Sequence, residues 1–241
     1  QITTRANLQM RLIQPKDCPE FLRRVQSVGL HTRGSGADNI RNLTANPTAG
    51  IDPVELIDTL PLVRDLAQII INDRSFYDLP RKFNIAYDGG GLIGSVEDTN
   101  DIGVKAVKLG EEVLFRLALG GATGHKTFAR DFGVVVPPNE INKVVVAILR
   151  VYIERGCRTD RKKARLKHLL EKMSFAEYLA AVEKKLGKPL RRAPYEVAQM
   201  HWASQELPHS HVGDFPQKQR GLNYVGATCP VGQITSKQML R

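Results

Sequence analysis

Lys82 and Asn84 stand two residues apart in Leu79-Pro-Arg-Lys-Phe-Asn84, a spacing that puts both side chains on one face of an extended strand. A cation beside a carboxamide suits a small anion, since both groups offer N–H donors. Arg81, Phe83 and Ile85 then point the other way, into packing or a second site. Alone, the segment is an ordinary strand with a charged face. Three further segments change that reading: Thr3-Thr-Arg-Ala-Asn-Leu-Gln9, Asp38-Asn-Ile-Arg-Asn-Leu-Thr44 after a glycine loop, and Asp160-Arg-Lys-Lys-Ala-Arg-Leu-Lys167.

The elements that must position these groups are partly legible. Residues 3–12 alternate Ala6, Leu8, Met10 and Leu12 with Arg5, Asn7, Gln9 and Arg11, which predicts a half-buried strand. Asp17-Cys-Pro-Glu20 reads as a capping box opening a helix with Phe21, Leu22, Val25 and Val28 on its apolar side and Gly29 at its end. A strand and a packed helix are expected to form half of a small α+β unit whose beginning is missing. Thr32-Arg-Gly-Ser-Gly36 is a basic loop, either a plain turn or a place where backbone amides approach an anion. Asp52-Pro-Val-Glu55 offers a helix start, and Pro61 is expected to interrupt the pattern before a helix over 62–72.

Beyond Gly89-Gly-Gly91, apolar runs at 102–107 and 113–119 predict strands of one sheet. Gly120-Gly-Ala-Thr-Gly-His-Lys-Thr127 is not a nucleotide loop, because His125 separates Gly124 from Lys126. It reads instead as a tight glycine turn able to approach a flat ligand, with His125 and Lys126 at its rim. Helices are predicted over 140–154, 160–173 and 175–186, the last behind the capping box Ser174-Phe-Ala-Glu177. Residues 188–220 show scattered Pro, His and Arg without a period and read as a linker, in which His209 and His211 are solvated residues before metal ligands. A new strand starts near Tyr224.

Composition narrows the function classes. A chain of 241 residues with 35 Lys and Arg against 25 Asp and Glu has a net charge of +10, which calls for an anionic partner or serves solubility. Nucleic acid is disfavoured because the dense cations Arg155, Arg158, Arg161, Lys162, Lys163, Arg165 and Lys167 carry no interleaved aromatic residue for base stacking. No apolar run has the length of a membrane span. Cys18, Cys157 and Cys229 are odd in number and never paired as C-x-x-C, which argues for a reducing compartment, the cytoplasm, and against a disulfide framework or zinc ribbon. Three thiols also cannot supply the four thiolates of an iron–sulfur cluster.

In their order and separation, the four motifs resemble those of the siroheme-dependent nitrite and sulfite reductases, from the first residue to about Gly187 and again from Gly221. The resemblance implies an α+β fold, a siroheme-binding mixed sheet with packed helices flanked by partial ferredoxin-like units. It divides the chain into the end of a first ferredoxin-like half-domain (1–30), a siroheme-binding reductase domain (31–187), a linker (188–220) and the start of a second half-domain (221–241). It implies siroheme and a [4Fe–4S] cluster whose cysteine ligands lie outside this chain, so the chain is expected to be an N-terminal portion of a longer enzyme with the remaining half as its partner.

Carried over by motif, the substrate-binding and proton-delivering residues are Arg5, Arg41, Lys82 and Asn84. Siroheme is rich in carboxylates, and Arg33, Lys126, Arg161, Lys163, Arg165 and Lys167 are the candidates to pair them. Sulfite enzymes of the family resemble one another in having a second lysine where this chain has Asn84. The neutral amide therefore favours nitrite, a monoanion reduced to ammonium in a six-electron reaction, over sulfite, a dianion that gains more from an added cation. Sulfite reduction to sulfide, or a related siroheme-fold enzyme of cobalamin synthesis, are the alternatives. A small acidic ferredoxin as electron donor suits the basic charge.

Overall fold

The apolar runs at residues 102–109 and 112–119 pair with each other in register, Val104 opposite Leu117 and Ala106 opposite Phe115, and around them a six-stranded mixed sheet is built. The structure is a computed structural model. It describes residues 1–36, 38–79, 82–194 and 211–239, with Arg41 as backbone alone. The sheet runs in chain order: β1 (Ile40–Thr44), β2 (Phe83–Asp88), β3 (Ile102–Leu109), β4 (Glu112–Leu119), β5 (Arg130–Val136) and β6 (Arg191–Arg192). β1, β2 and β3 are parallel neighbours, and β3 to β6 continue antiparallel. This mixture of helices and a mixed sheet is the α+β class that the resemblance implies.

One face is closed by helices. α3 (Ile141–Arg155) buries nine of its residues, among them Val144, Ile148 and Tyr152. At about 1.5–3 kcal/mol for each fully buried large side chain, this one helix is a major source of core stability. α2 (Leu60–Asn72) adds Leu66 and Ile70, and α5 (Phe175–Leu186) adds Tyr178 and Val182. The Tyr178 and Tyr152 hydroxyls donate to the Ile148 and Ala164 carbonyls, so neither burial strands a polar group. α5 opens with the predicted capping box, Ser174 and Glu177 bonding each other's backbone N–H groups.

Several expectations change. Residues 3–12 are no strand: Ile2 bridges Leu8 across a turn in which Ala6 takes φ 54°. Their alternation has no core to face, since residues 1–36 contain none that is buried. α1 (Cys18–Ser27) forms, but Asp17 makes no side-chain cap, and Glu20 instead pairs with Arg23 and Arg24. Residues 52–55 form turns rather than a helix, because Asp52 spends its carboxylate on the Thr48 hydroxyl and the Val54 and Leu92 N–H groups. Pro61 sits in the first turn of α2, where a proline N–H is not missed. The helix expected over 160–173 is broken into a 3-10 turn, Arg161–Lys163, and the short α4 (Leu166–Leu170). β1, β5 and β6 have no counterpart among the elements that the sequence pattern predicts.

Toward the C-terminus, β7 (Gly213–Pro216) and β8 (Asn223–Gly226) form an antiparallel hairpin followed by the short α6 (Ser236–Met239). The expected strand near Tyr224 is β8. Lys218 reaches back to Glu55 at 2.6 Å. The two ends of the chain meet where the Ile2 N–H donates to the Gly232 carbonyl at 2.7 Å. Of the stretch 188–220 expected to be a linker, residues 191–192 add β6 to the sheet and residues 213–216 form β7, while His209 lies outside the described residues.

Candidate functional site: a donor-lined cleft at the start of strand β2

Phe83 begins β2 inside the core, its ring 5.0 Å from that of Tyr152. Ile85 is also fully buried, so the pleat sends Lys82 and Asn84 to the opposite side, as the spacing predicts. Arg81 lies outside the described residues. Lys82 is exposed and Asn84 is 9% exposed. Both line a cleft of about 590 Å³ together with Arg5, Asn7 and Asn42. Three of the four residues expected to bind substrate thus converge. Of the fourth, Arg41, only the backbone in β1 is described.

β1 carries an irregularity at that point. Ile40 pairs with Phe83 and Asn42 with Asn84, so two steps along β1 match one along β2. Such a bulge re-aims the strand. Ile40 stays in the core while Asn42 turns to the cleft, and Leu43 packs back against the core.

Behind Asn84 stands a buried ion pair that sequence reasoning missed. Asp101, 1% exposed at its side chain, accepts from Arg165 Nε at 3.0 Å and Nη2 at 2.7 Å. The same carboxylate accepts the Asn84 backbone N–H at 2.9 Å. Burial pushes the Asp101 carboxyl pKa upward, opposed by the Arg165 charge and by these hydrogen bonds. Arg165 also donates to the Gly121 carbonyl at 3.4 Å. Residue 121 must be glycine for a different contact, since a β-carbon there would lie 2.4 Å from the carbonyl oxygens of Asp98 and Asn100. An acid heading a strand in a basic chain was the available signal for Asp101.

Arg5 belongs to the opposite wall. Its guanidinium donates to the Thr99 hydroxyl at 3.3 Å and the Thr99 carbonyl at 3.4 Å. Partial burial lowers its pKa, while Asp101 raises it and Arg165 lowers it. A guanidinium remains charged under such influences.

The cations expected to pair siroheme carboxylates are placed less uniformly. Arg165 is committed to Asp101, and Arg161 forms a bidentate pair with Asp38 at 2.7 and 3.0 Å. Arg33 donates to the Tyr77 hydroxyl at 3.2 Å. Lys167 reaches the Thr127 hydroxyl at 3.3 Å and Glu171 at 3.8 Å, beside Lys126, which takes a left-handed conformation in the Gly120–Thr127 loop. The exposed Lys163 side chain pairs with no described residue. Arg5, Lys82 and Asn84 line the cleft with no carboxylate among its described lining residues, a donor set whose chemistry suits anionic groups such as the carboxylates of siroheme. The thiols do not fit a cluster: Cys18, Cys157 and Cys229 are free and, among the described residues, no three metal-ligating side chains gather.

Relatives in sequence and structure identify the class to which this fold belongs. Residues 36–190 match the family model described as nitrite and sulphite reductase 4Fe-4S domain. The chain belongs to this family. It is 40% identical to a ferredoxin–nitrite reductase of Leptolyngbya laminosa over 97% of this chain and 46% of that protein. To the chloroplastic ferredoxin–nitrite reductase of Zea mays it is 34% identical over 99% of this chain and 42% of that one. The solved structure of Mycobacterium tuberculosis NirA protein superposes with a TM-score of 0.81 at 29% identity, covering 92% of this chain and 40% of that chain. The chain therefore spans less than half the length of the curated relatives it matches. Among the described residues no helix is long and apolar enough to cross a membrane.

Proposed function

We propose that this chain contributes the substrate-binding wall of a siroheme- and [4Fe–4S]-dependent nitrite reductase that takes electrons from ferredoxin and converts nitrite to ammonium in the cytoplasm. The observation that carries the reading is the convergence of Arg5, Lys82 and Asn84 on one cleft. When bound, siroheme would coordinate the substrate and pass electrons to it. The protein's own residues hold the anion: Lys82 Nζ and the Arg5 guanidinium offset its charge, and Asn84 Nδ2 offers a neutral donor. As oxygen leaves as water, Lys82 Nζ is an acidic donor able to hand on a proton. Arg41, on the bulged strand beside Asn42, joins this group in the proposal.

Arg33, Lys126, Lys163 and Lys167 are proposed to pair siroheme carboxylates directly. Arg161 would do so by exchanging Asp38, while Arg165 would act from behind Asp101. The cluster's thiolates would come from the remaining half of the enzyme. Residues 1–30 and 221–241 are proposed to belong to ferredoxin-like half-domains joined through the Ile2–Gly232 contact, on either side of a reductase domain over 31–187; of the stretch 188–220 read as a linker, β6 joins the reductase sheet and β7 joins the hairpin of the second half-domain.

The neutral Asn84 favours nitrite over sulfite, and a substitution tests it. In the full-length enzyme, Asn84→Lys places a second ammonium beside Lys82, which a dianion feels about twice as strongly as a monoanion. The expected result is a raised sulfite-to-nitrite ratio of kcat/KM with one artificial electron donor, most visible at low ionic strength. An unchanged ratio would remove the ground for preferring nitrite.

A further inference from the structure

The carboxamide of Asn84 is the last link of a chain of amides, and the chain has a direction. Asn7 Nδ2 donates to the Arg5 backbone carbonyl at 3.0 Å. A carbonyl can only accept, so the Asn7 amide has its nitrogen on that side. The same nitrogen donates to Asn42 Oδ1 at 2.6 Å. Asn42 must then present its own nitrogen to Asn84, and Asn42 Nδ2 donates to Asn84 Oδ1 at 2.7 Å. With its oxygen engaged, Asn84 is left with Nδ2, which donates to no described residue and belongs to a side chain lining the cleft.

Amide orientation is normally ambiguous, because the oxygen and nitrogen ends are nearly the same size. Here one backbone carbonyl settles it through three side chains. We propose that Asn7 and Asn42 are positioning residues that hold Asn84 with its donor end toward the substrate anion. Reversal at any link would turn Asn84 Oδ1 into the cleft, where its lone pairs repel an anion. The register that sets Asn42 opposite Asn84, produced by the bulge at residue 41, is part of the same device. Asn42 is 8% exposed and Asn84 is 9% exposed, so few waters can compensate for a turned amide. Asn7 is exposed and can be changed without disturbing the core.

This inference rests on the reading that Asn84 faces the substrate, and the test separates the two. Asn7→Asp keeps shape but leaves no donor at residue 7. Asn42 then turns its nitrogen toward the new carboxylate, and Asn84 follows. In the full-length, siroheme-loaded enzyme, nitrite binding to the oxidised form is followed by the visible absorption change, and thermal unfolding is recorded beside it. Asn7→Asp should weaken nitrite binding about tenfold or more, the scale of one hydrogen bond to a charged group, with an unfolding temperature near that of the parent. Asn42→Leu breaks the chain without adding charge and should weaken binding in the same direction by a smaller factor.

Both changes are repeated in an Asn84→Ala background, where an effect that travels through Asn84 must vanish. If Asn7→Asp weakens binding equally there, its added charge acts directly and the orienting role is overturned. If Asn84→Ala weakens binding but neither Asn7→Asp nor Asn42→Leu does, the orienting role is overturned and the substrate reading stands. Full binding strength in Asn84→Ala alone overturns both.

Discussion

The cleft has two unlike walls. On the strand side, Asn42 and Asn84 are buried, paired in register and backed by the core residues Phe83 and Ile85, with the buried Asp101 accepting the Asn84 backbone N–H. On the N-terminal side, residues 1–36 contain no buried residue, and Arg5 is held by two hydrogen bonds to Thr99 of 3.3 and 3.4 Å. Both walls offer donors to the same space. The strand wall takes its geometry from the sheet, so an error there costs packing and charge compensation together. The N-terminal wall takes its geometry from a few polar contacts that water can replace at small cost.

The largest effect belongs to the buried anchor of the strand wall. Asp101→Ala leaves Arg165 buried without its counter-charge and should destabilise the full-length enzyme by about 3–5 kcal/mol, read as a lowered denaturant midpoint. A loss below about 1 kcal/mol would erase the contrast between the walls. Next comes Lys82→Met, which removes an exposed cation from the cleft without touching the core. Nitrite turnover should fall about 100-fold or more while Tm and siroheme content hold, and near-normal turnover would make Lys82 a surface cation.

On the opposite wall, Thr99→Val removes one hydroxyl acceptor from Arg5 and leaves the Thr99 carbonyl. Stability should change by no more than about 1 kcal/mol, with a several-fold rise in KM for nitrite and little change in kcat. A loss of stability as large as that of Asp101→Ala would show the N-terminal wall to be equally built into the fold.

The smallest effect is a pH dependence at the second support of Arg165, where His168 Nδ1 accepts the Arg165 backbone N–H at 3.2 Å. Burial holds the His168 pKa below its ordinary value, with Glu171 opposing and Lys167, His125 and Arg165 adding to the depression. The unfolded chain therefore binds this proton more readily. Stability should decline as pH falls through about 6.5 and level off below the folded-state pKa. His168→Gln should flatten that part of the profile, and an unchanged slope would show that another group titrates there.

Much of this molecule was legible in its sequence. Apolar runs mark β3 and β4, an apolar helical face of Ile141, Val145, Ile148 and Tyr152 marks α3, and the Ser174–Glu177 box marks the start of α5, because these elements are decided by neighbours close in sequence. Spacing also puts Lys82 and Asn84 on one face, and the family resemblance points to Arg5, the three residues that line the cleft. Local pattern misled at residues 3–12, where alternation without a sheet to join leaves only the Ile2–Leu8 bridge, and at residues 160–173, where Asp160 caps a 3-10 turn through the Lys162 N–H. Residue types alone thus determined which chemistry is available: donors for an anion and too few thiols for a cluster. The tertiary structure decided where that chemistry points. The bulge at residue 41, the Asp101–Arg165 pair and the run of amides from Asn7 to Asn84 join residues 35 to 64 positions apart. Such bonds exist only once the sheet has brought their partners within hydrogen-bonding reach, which no local pattern records.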